Sequence, residues 1–187
     1  VPSCKTKSPA PDADQMVMAT LWFQHAGEAR ALYYQAYNLA ELRVKQALDT
    51  LPKELPLAVI ADIDETILDN SPSEGRNILE GNRYSSERWR DWTDKRSASG
   101  LPGSLDFAKF LESEGVELFY ISNRSVDEQE ATIDNLVKLG YPFADSDHVL
   151  LKSSSSTKTP RRQIVAEKHH IILLLGDNLN DFSDIFE

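Results

Sequence analysis

Four short stretches of the chain carry side chains whose types and spacing suit phosphoryl chemistry. The first is Asp62-Ile63-Asp64-Glu65-Thr66, with the carboxylates of Asp62 and Asp64 two residues apart at the end of an apolar run. Such a pair can divide labour: one carboxylate attacks phosphorus to give an aspartyl-phosphate, and its neighbour protonates the leaving oxygen and then activates water. Taken alone, Asp-x-Asp reads more simply as an acidic strand end that caps the next helix. The second stretch, Ser122-Asn123-Arg124, offers a hydroxyl, an amide, a cation and free backbone N–H groups to non-reacting phosphate oxygens, or else an ordinary N-cap. The third is Lys158, a fixed positive charge able to neutralise a phosphate and Asp62, with Lys152 as competitor; most lysines simply face solvent. The fourth is Gly176-Asp177-Asn178-Leu179-Asn180-Asp181-Phe182. There Gly176 permits a tight turn, Asp177 can reach a magnesium ion shared with Asp62, and Asp181 can orient that shell from the next turn, unless the loop is merely acidic and solvated. What outweighs the piecemeal alternatives is the order. A carboxylate pair, a hydroxyl, a lysine and a glycine-carboxylate loop form a complete phosphoryl-transfer set.

Each member sits where an element would present it. Leu57-Ala58-Val59-Ile60-Ala61, Val116 to Ile121 and Ile171 to Leu175 are apolar runs without alternation, as expected of parallel strands buried on both faces. Helical stretches precede the last two, from Ser104 to Glu114 and from Thr159 to Lys168. This alternation predicts an α/β fold, a parallel sheet flanked by helices with right-handed crossovers, whose ligands bind outside the carboxyl ends of the strands. His148-Val149-Leu150-Leu151 is a candidate fourth strand. Apolar residues at three- and four-residue steps from Asp14 to about Leu51 predict a long amphipathic helix broken at most once, near Gly27, and ended by Pro52 and Pro56. Residues 70–100, with Tyr84, Trp89 and Trp92 among charged and small residues, read as a mostly helical cap. Those three aromatics could stack on a nucleobase, although packing the cap's own core is their simpler use.

Composition narrows the function. The 187 residues, 41% of them apolar, suffice for one domain, here residues 15–187. A net charge of −10 argues against a nucleic-acid polymer as partner and requires local cations around any phosphate. No run of about 18 apolar residues is present to cross a bilayer. Residues 1–14, rich in Pro, Ser, Lys and Asp, read as a disordered tether. Within it Cys4 ends Val-Pro-Ser-Cys, either the remnant of a lipoprotein cleavage box or a free thiol.

The motifs Asp62-x-Asp64, Ser122, Lys158 and Gly176-Asp177-x-x-x-Asp181 resemble those of the haloacid dehalogenase superfamily. The longer runs Asp62 to Asn70 and Gly176 to Phe182, with Met18 to Trp22 and Tyr34 to Asn38 upstream, resemble the class C, or four-aspartate, acid phosphatases. The resemblance implies an α/β core with an α-helical cap, a required magnesium, and hydrolysis of small phosphomonoesters, often nucleoside 5′-monophosphates, at acidic pH. It implies Asp62 as nucleophile and Asp64 as acid/base. Magnesium would be bound by Asp62, Asp177 and the Asp64 backbone carbonyl, with Asp181 behind them. Ser122, Asn123 and Lys158 would hold the phosphate. It also implies lipidation of Cys4 and an exported, outer-membrane or cell-surface protein that meets the membrane only through that anchor; a homodimer is compatible with it. Two departures stand out. Ser73 takes a position where family members usually carry tyrosine, and family members usually continue some tens of residues beyond the fourth motif, whereas Glu187 is the last residue here. Both bear on the leaving-group side. A phospho-accepting receiver domain and a surface lipoprotein that binds without turnover remain rival readings; receivers, however, place the paired acids and the phospho-acceptor on different strands, whereas here both carboxylates belong to one strand end.

Overall fold

The computed structural model describes residues 13–51 and 54–186; Cys4, most of the expected tether and Pro52 lie outside them. The periodic N-terminal region forms two helices, α1 (Ala13–His25) and α2 (Gly27–Thr50), with the break where the glycine predicts it. Helix α2 buries Ala29, Tyr37, Ala40 and Val44, a single stripe set by the helical repeat.

The chain then enters β1 (Leu57–Ala61), a ribbon strand β2 (Leu68–Asp69), the helices α3 (Ser71–Glu80) and α4 (Ser86–Thr93), and a second ribbon strand β3 (Ser99–Gly100). It continues through α5 (Ser104–Ser113), β4 (Glu117–Ser125), α6 (Gln129–Leu139), β5 (Val149–Lys152), α7 (Thr159–Ala166) and β6 (His170–Leu175). The main sheet has the order β5-β4-β1-β6, and every pairing in it is parallel. The α/β expectation therefore holds, and β1 lies inside the sheet with its carboxyl end between those of β4 and β6.

Alternate residues of β1 serve the two layers. Leu57, Val59 and Ala61 join the core formed with Tyr37 and Val44 of α2, Phe107 and Leu111 of α5, and Leu118 and Tyr120 of β4. Ala58 and Ile60 pack on the opposite face with Phe119, Ile121 and Val165 of α7. Each large apolar side chain buried this way contributes about 1.5–3 kcal/mol, so the strand ends are held stiffly.

Two boundaries differ from the sequence reading. Strand β4 does not stop at Ile121 but runs on through Ser122-Asn123-Arg124 to Ser125, with Ser122 and Arg124 buried and Asn123 exposed. The period of two persists while the buried side chains turn polar, so an apolar-run criterion ends too early. The region 70–100, read as having no strand, hangs from the antiparallel ribbon pairing Leu68 with Gly100 and Asp69 with Ser99. Gly100 is required there, since a Cβ would stand 2.5 Å from Tyr141 Oη. That hydroxyl is itself engaged by Ser104 Oγ at 2.6 Å and by the Ile67 carbonyl at 3.3 Å. Gly100→Ala should accordingly lower stability by about 1–3 kcal/mol, read as a drop in the urea midpoint with unchanged m value; an unchanged midpoint would show that the ribbon has room to shift.

Candidate active site

Asp62 is the first residue beyond β1, and its N–H still continues the ladder, donating to Leu175 O at 2.9 Å. Its side chain is buried beside the Lys158 ammonium, which the N-cap of α7 delivers and which is buried too. Lys158 also contacts Asp181 Oδ1 at 2.6 Å. Lys152, the competing lysine, ends β5 and borders a different cavity. Burial outweighs the ammonium and, helped by the neighbouring Asp64 and Asp181, pushes the Asp62 carboxyl up to about 7.

The loop after β6 folds on itself. Asp181 accepts from the Asn178 N–H at 3.0 Å while the Asn178 side chain accepts from Asn180 N at 3.1 Å, a reciprocal cap on a short 3-10 turn. Gly176 is needed because the Asp181 carboxylate fills the space of any Cβ there. Folded this way, oxygens of Asp62, Asp177 and Asp181 come within 4.8 Å of one another. Three carboxylates against one ammonium leave an excess of negative charge, and the donors are all oxygen, so the residues fit a hard divalent cation. Asp181, expected to stand behind the metal ligands, is thus as close as they are. Asp64 is not among the three.

The Asp64 carboxylate instead meets a second cation. Arg124 donates to Asp64 Oδ1 through Nε at 2.9 Å and Nη2 at 2.8 Å, and Asn70 Nδ2 adds a third bond to that oxygen at 2.9 Å. Among the described residues, Oδ2 accepts only from Ser122 Oγ, at 3.1 Å. Arg124, read from sequence as a phosphate holder, is therefore committed to Asp64, with the Trp89 ring 5.5 Å from its Cζ. Asn123 presents its amide at the exposed side of β4, where Oδ1 accepts from Arg161 Nη2 at 2.7 Å.

The aromatic trio divides. Tyr84 and Trp89, with ring centroids 6.3 Å apart, border a cavity of about 250 Å³ that also reaches Asn123, Ser125 and Lys152. Trp92 is turned elsewhere: its Nε1 donates to Asn70 Oδ1 at 2.8 Å, its partly buried ring packs on the main core, and it borders a different cavity beside Ser73 and Arg88. Ser73 is buried within the cap, donating its N–H to Asn70 O at 2.9 Å. A second, apolar cavity of about 370 Å³ lies between the N-terminal helices and the site, bordered by Trp22, Leu32, Tyr33, Glu65 and Asp177.

Comparison with known proteins fits this geometry. Residues 5–187 match the family described as HAD superfamily, subfamily IIIB (Acid phosphatase). The chain belongs to that family. It is similar to the class C acid phosphatase from Bacillus anthracis, with 46% identity, a TM-score of 0.88, and coverage of 91% of this chain and 72% of that one. The structure of the Bacillus anthracis enzyme with tungstate bound matches at 45% identity and the same TM-score of 0.88, again over 91% of this chain and 72% of that one. The stem 28 kDa glycoprotein of Glycine max is 26% identical over 84% of this chain, which spans 62% of that relative's length.

Within this subfamily IIIB fold, several residues that hold the site escaped the sequence reading. Arg161 is buried and donates to the Ser122 carbonyl and to Asn123; Arg162 donates to Asp181 O at 2.9 Å. Their signal was a basic pair directly after Lys158-Thr159-Pro160, in an acidic chain. Asn70 had none beyond its place in the first motif. The Lys158 pairing yields a measurable consequence. Lys158→Met leaves Asp62 and Asp181 buried without their cation and should cost about 3–5 kcal/mol at pH 7.5 in chelator. The folded value of Asp62 lies above its unfolded value, so its proton stabilises the fold at low pH and that contribution is lost as pH rises through about 7. The deficit of the variant should shrink as pH falls toward 5, as followed by thermal unfolding, and a pH-independent deficit would refute this origin.

Proposed function

We propose that this chain is a magnesium-dependent phosphomonoesterase acting at acidic pH, with Asp62 as nucleophile and Asp64 as acid/base. The observation that carries this reading is the pair of differently held carboxylates two residues apart: Asp62 against Lys158 beside the carboxylate triad, and Asp64 gripped on one oxygen by Arg124 and Asn70. Environments that differ this way assign distinct roles to two acids.

In the reaction, an Asp62 oxygen bonds to phosphorus in line with the ester oxygen. The ester P–O bond breaks, and the leaving alkoxide takes a proton from protonated Asp64. Oδ2 is the oxygen to deliver it, since Oδ1 already accepts three bonds. Asp64 then removes a proton from water, whose oxygen attacks the aspartyl-phosphate, releasing phosphate and restoring Asp62. Lys158 and the Ser122 hydroxyl stand ready to bind the transferring oxygens. A magnesium ion held by Asp62, Asp177 and the Asp64 carbonyl, with Asp181 beside them, would offset the charge of nucleophile and phosphate. Tungstate, found bound in the Bacillus anthracis relative, is a tetrahedral oxyanion like phosphate and supports such a site here. On the leaving-group side, the Tyr84 and Trp89 rings with Asn123 suit a nucleoside, so 5′-monophosphates are the favoured substrates.

The reading extends to location. The Val1 to Cys4 leader supports export with a lipid on Cys4, and the relatives from Glycine max named glycoproteins are in keeping with export.

Asp62→Asn should lower release of phosphate from p-nitrophenyl phosphate in excess magnesium by more than about 10³-fold, and EDTA should silence the wild type until magnesium is restored. Turnover unaffected by either would end the proposed mechanism. For the anchor, labelling cells with a radioactive fatty acid should mark the full-length precursor product and not its Cys4→Ser variant; label on both would exclude Cys4 as the attachment point.

A further inference from the structure

The turn that follows Asp62 is fastened to the N-terminal helices. Tyr33 and Tyr37 lie one helical turn apart on the same face of α2. Their phenol hydroxyls donate to successive carbonyls of the turn, Tyr33 Oη to Glu65 O at 2.5 Å and Tyr37 Oη to Thr66 O at 2.6 Å. Both rings are fixed from behind, Tyr33 edge-on to Phe23 of α1 at 5.9 Å and Tyr37 against Phe107 of α5 at 5.5 Å. The hydroxyls are thus placed by packing before the turn forms its bonds.

What they hold is under strain. Glu65 has φ of 56°, a left-handed conformation that costs a side chain of this size on the order of 1–3 kcal/mol and persists only when its surroundings over-determine it. The turn's own backbone bonds, Glu65 N to Leu68 O at 3.0 Å and Leu68 N to Ile63 O at 2.8 Å, leave the carbonyls of Glu65 and Thr66 to the tyrosines. Glu65 directly follows Asp64, so relaxation of its φ would re-aim the Asp64 carboxylate away from Arg124 and Ser122. Burial pushes both phenols up, reinforced at Tyr33 by the carboxylates of Glu65, Asp177 and Asp69 and at Tyr37 by the phenols of Tyr141 and Tyr33 and by Asp62, and they remain donors wherever the protein is folded.

We propose that Tyr33 and Tyr37 are positioning residues for the reaction, a hydroxyl clamp that holds the Asp64-Glu65-Thr66 turn and makes the N-terminal helix pair part of the catalytic apparatus. The inference rests on the phosphatase reading above, and the clamp acts through Asp64, leaving the phosphate-binding groups Lys158 and Ser122 where they are. Its signature is consequently a loss in kcat without a loss in affinity.

The test compares Tyr33→Phe, Tyr37→Phe and the double variant with the wild type, using p-nitrophenyl phosphate in saturating magnesium. Each single variant should lose about tenfold in kcat, as loss of one aligning hydrogen bond implies, and the double variant more, with KM changed less than about twofold. Tyr34→Phe, at an exposed neighbour on α2, should behave as wild type. Amide hydrogen exchange should quicken over residues 62–68 in the double variant and stay unchanged in α6. An unchanged kcat in the double variant overturns the clamp. So does a loss that follows the unfolded fraction and disappears at a lower assay temperature. If the wild type itself releases no phosphate, the phosphatase reading fails separately; exchange then decides the clamp, and undiminished protection over 62–68 refutes it.

Discussion

Asp62, Asp64, Asp177 and Asp181 converge on one end of the sheet, and those withdrawn from water, Asp62 and Asp181 almost fully and Asp64 in part, need cations to answer them. Lys158 answers Asp62 and Asp181; Arg124 answers Asp64. Both cations are themselves buried, so each must be placed to within hydrogen-bond tolerance by the element that carries it. Lys158 is fixed at the N-cap of α7, and Arg124 by a strand that continues four residues past its apolar part. An arginine suits the second position because its fork reaches Asp64, Asn70 and Thr132 at once, which an ammonium on a flexible stem could not do.

The same constraint explains why polar side chains line the interior of this end of the molecule. Ser122, Arg124, Glu128, Thr132 and Arg161 are all buried, and each is bonded to a partner that serves the site. Glu128 accepts from Ser125 N at 2.8 Å and from Thr93 Oγ1 at 2.8 Å, which joins the end of β4 to the last turn of α4 in the cap. Away from this end the buried side chains of β1 and β4 are apolar or aromatic, from Leu57 to Ala61 and from Leu118 to Ile121.

Legibility in the sequence follows this division. The strands, the helices before them and the glycine break between α1 and α2 were readable because apolar periodicity reports burial of apolar side chains. Asp62, Asp64, Lys158, Asp177 and Asp181 were readable because they stand where periodicity stops. The extension of β4 was hidden, since its inward residues are serine and arginine, whose burial depends on partners 58 and 60 residues away in the chain. Trp92 and Tyr33 were hidden for a similar reason. An aromatic residue at helical spacing announces packing, and nothing local tells which hydroxyl or indole N–H reaches back to a carbonyl or an amide. The Asp181 placement turned on the fold of a seven-residue loop, where Gly176 allows a closer approach than any general rule for the spacing would give.

The cap and Asp64 are then mechanically one unit. Trp89 of α4 lies over the Arg124 guanidinium, Trp92 of the same helix holds Asn70, and both Arg124 and Asn70 bond Asp64 Oδ1. Any displacement of α4 therefore reaches Asp64 by two routes through side chains with little freedom of their own. The helix is anchored to the core through the Thr93 hydroxyl, which donates to Glu128, and meets solvent at Arg90, bordering the same cavity as Tyr84 just ahead of the helix. In the proposed reaction, contacts made by the leaving group with Tyr84 or Trp89 would bear on the orientation of Asp64, which would couple recognition to proton transfer without any residue touching both.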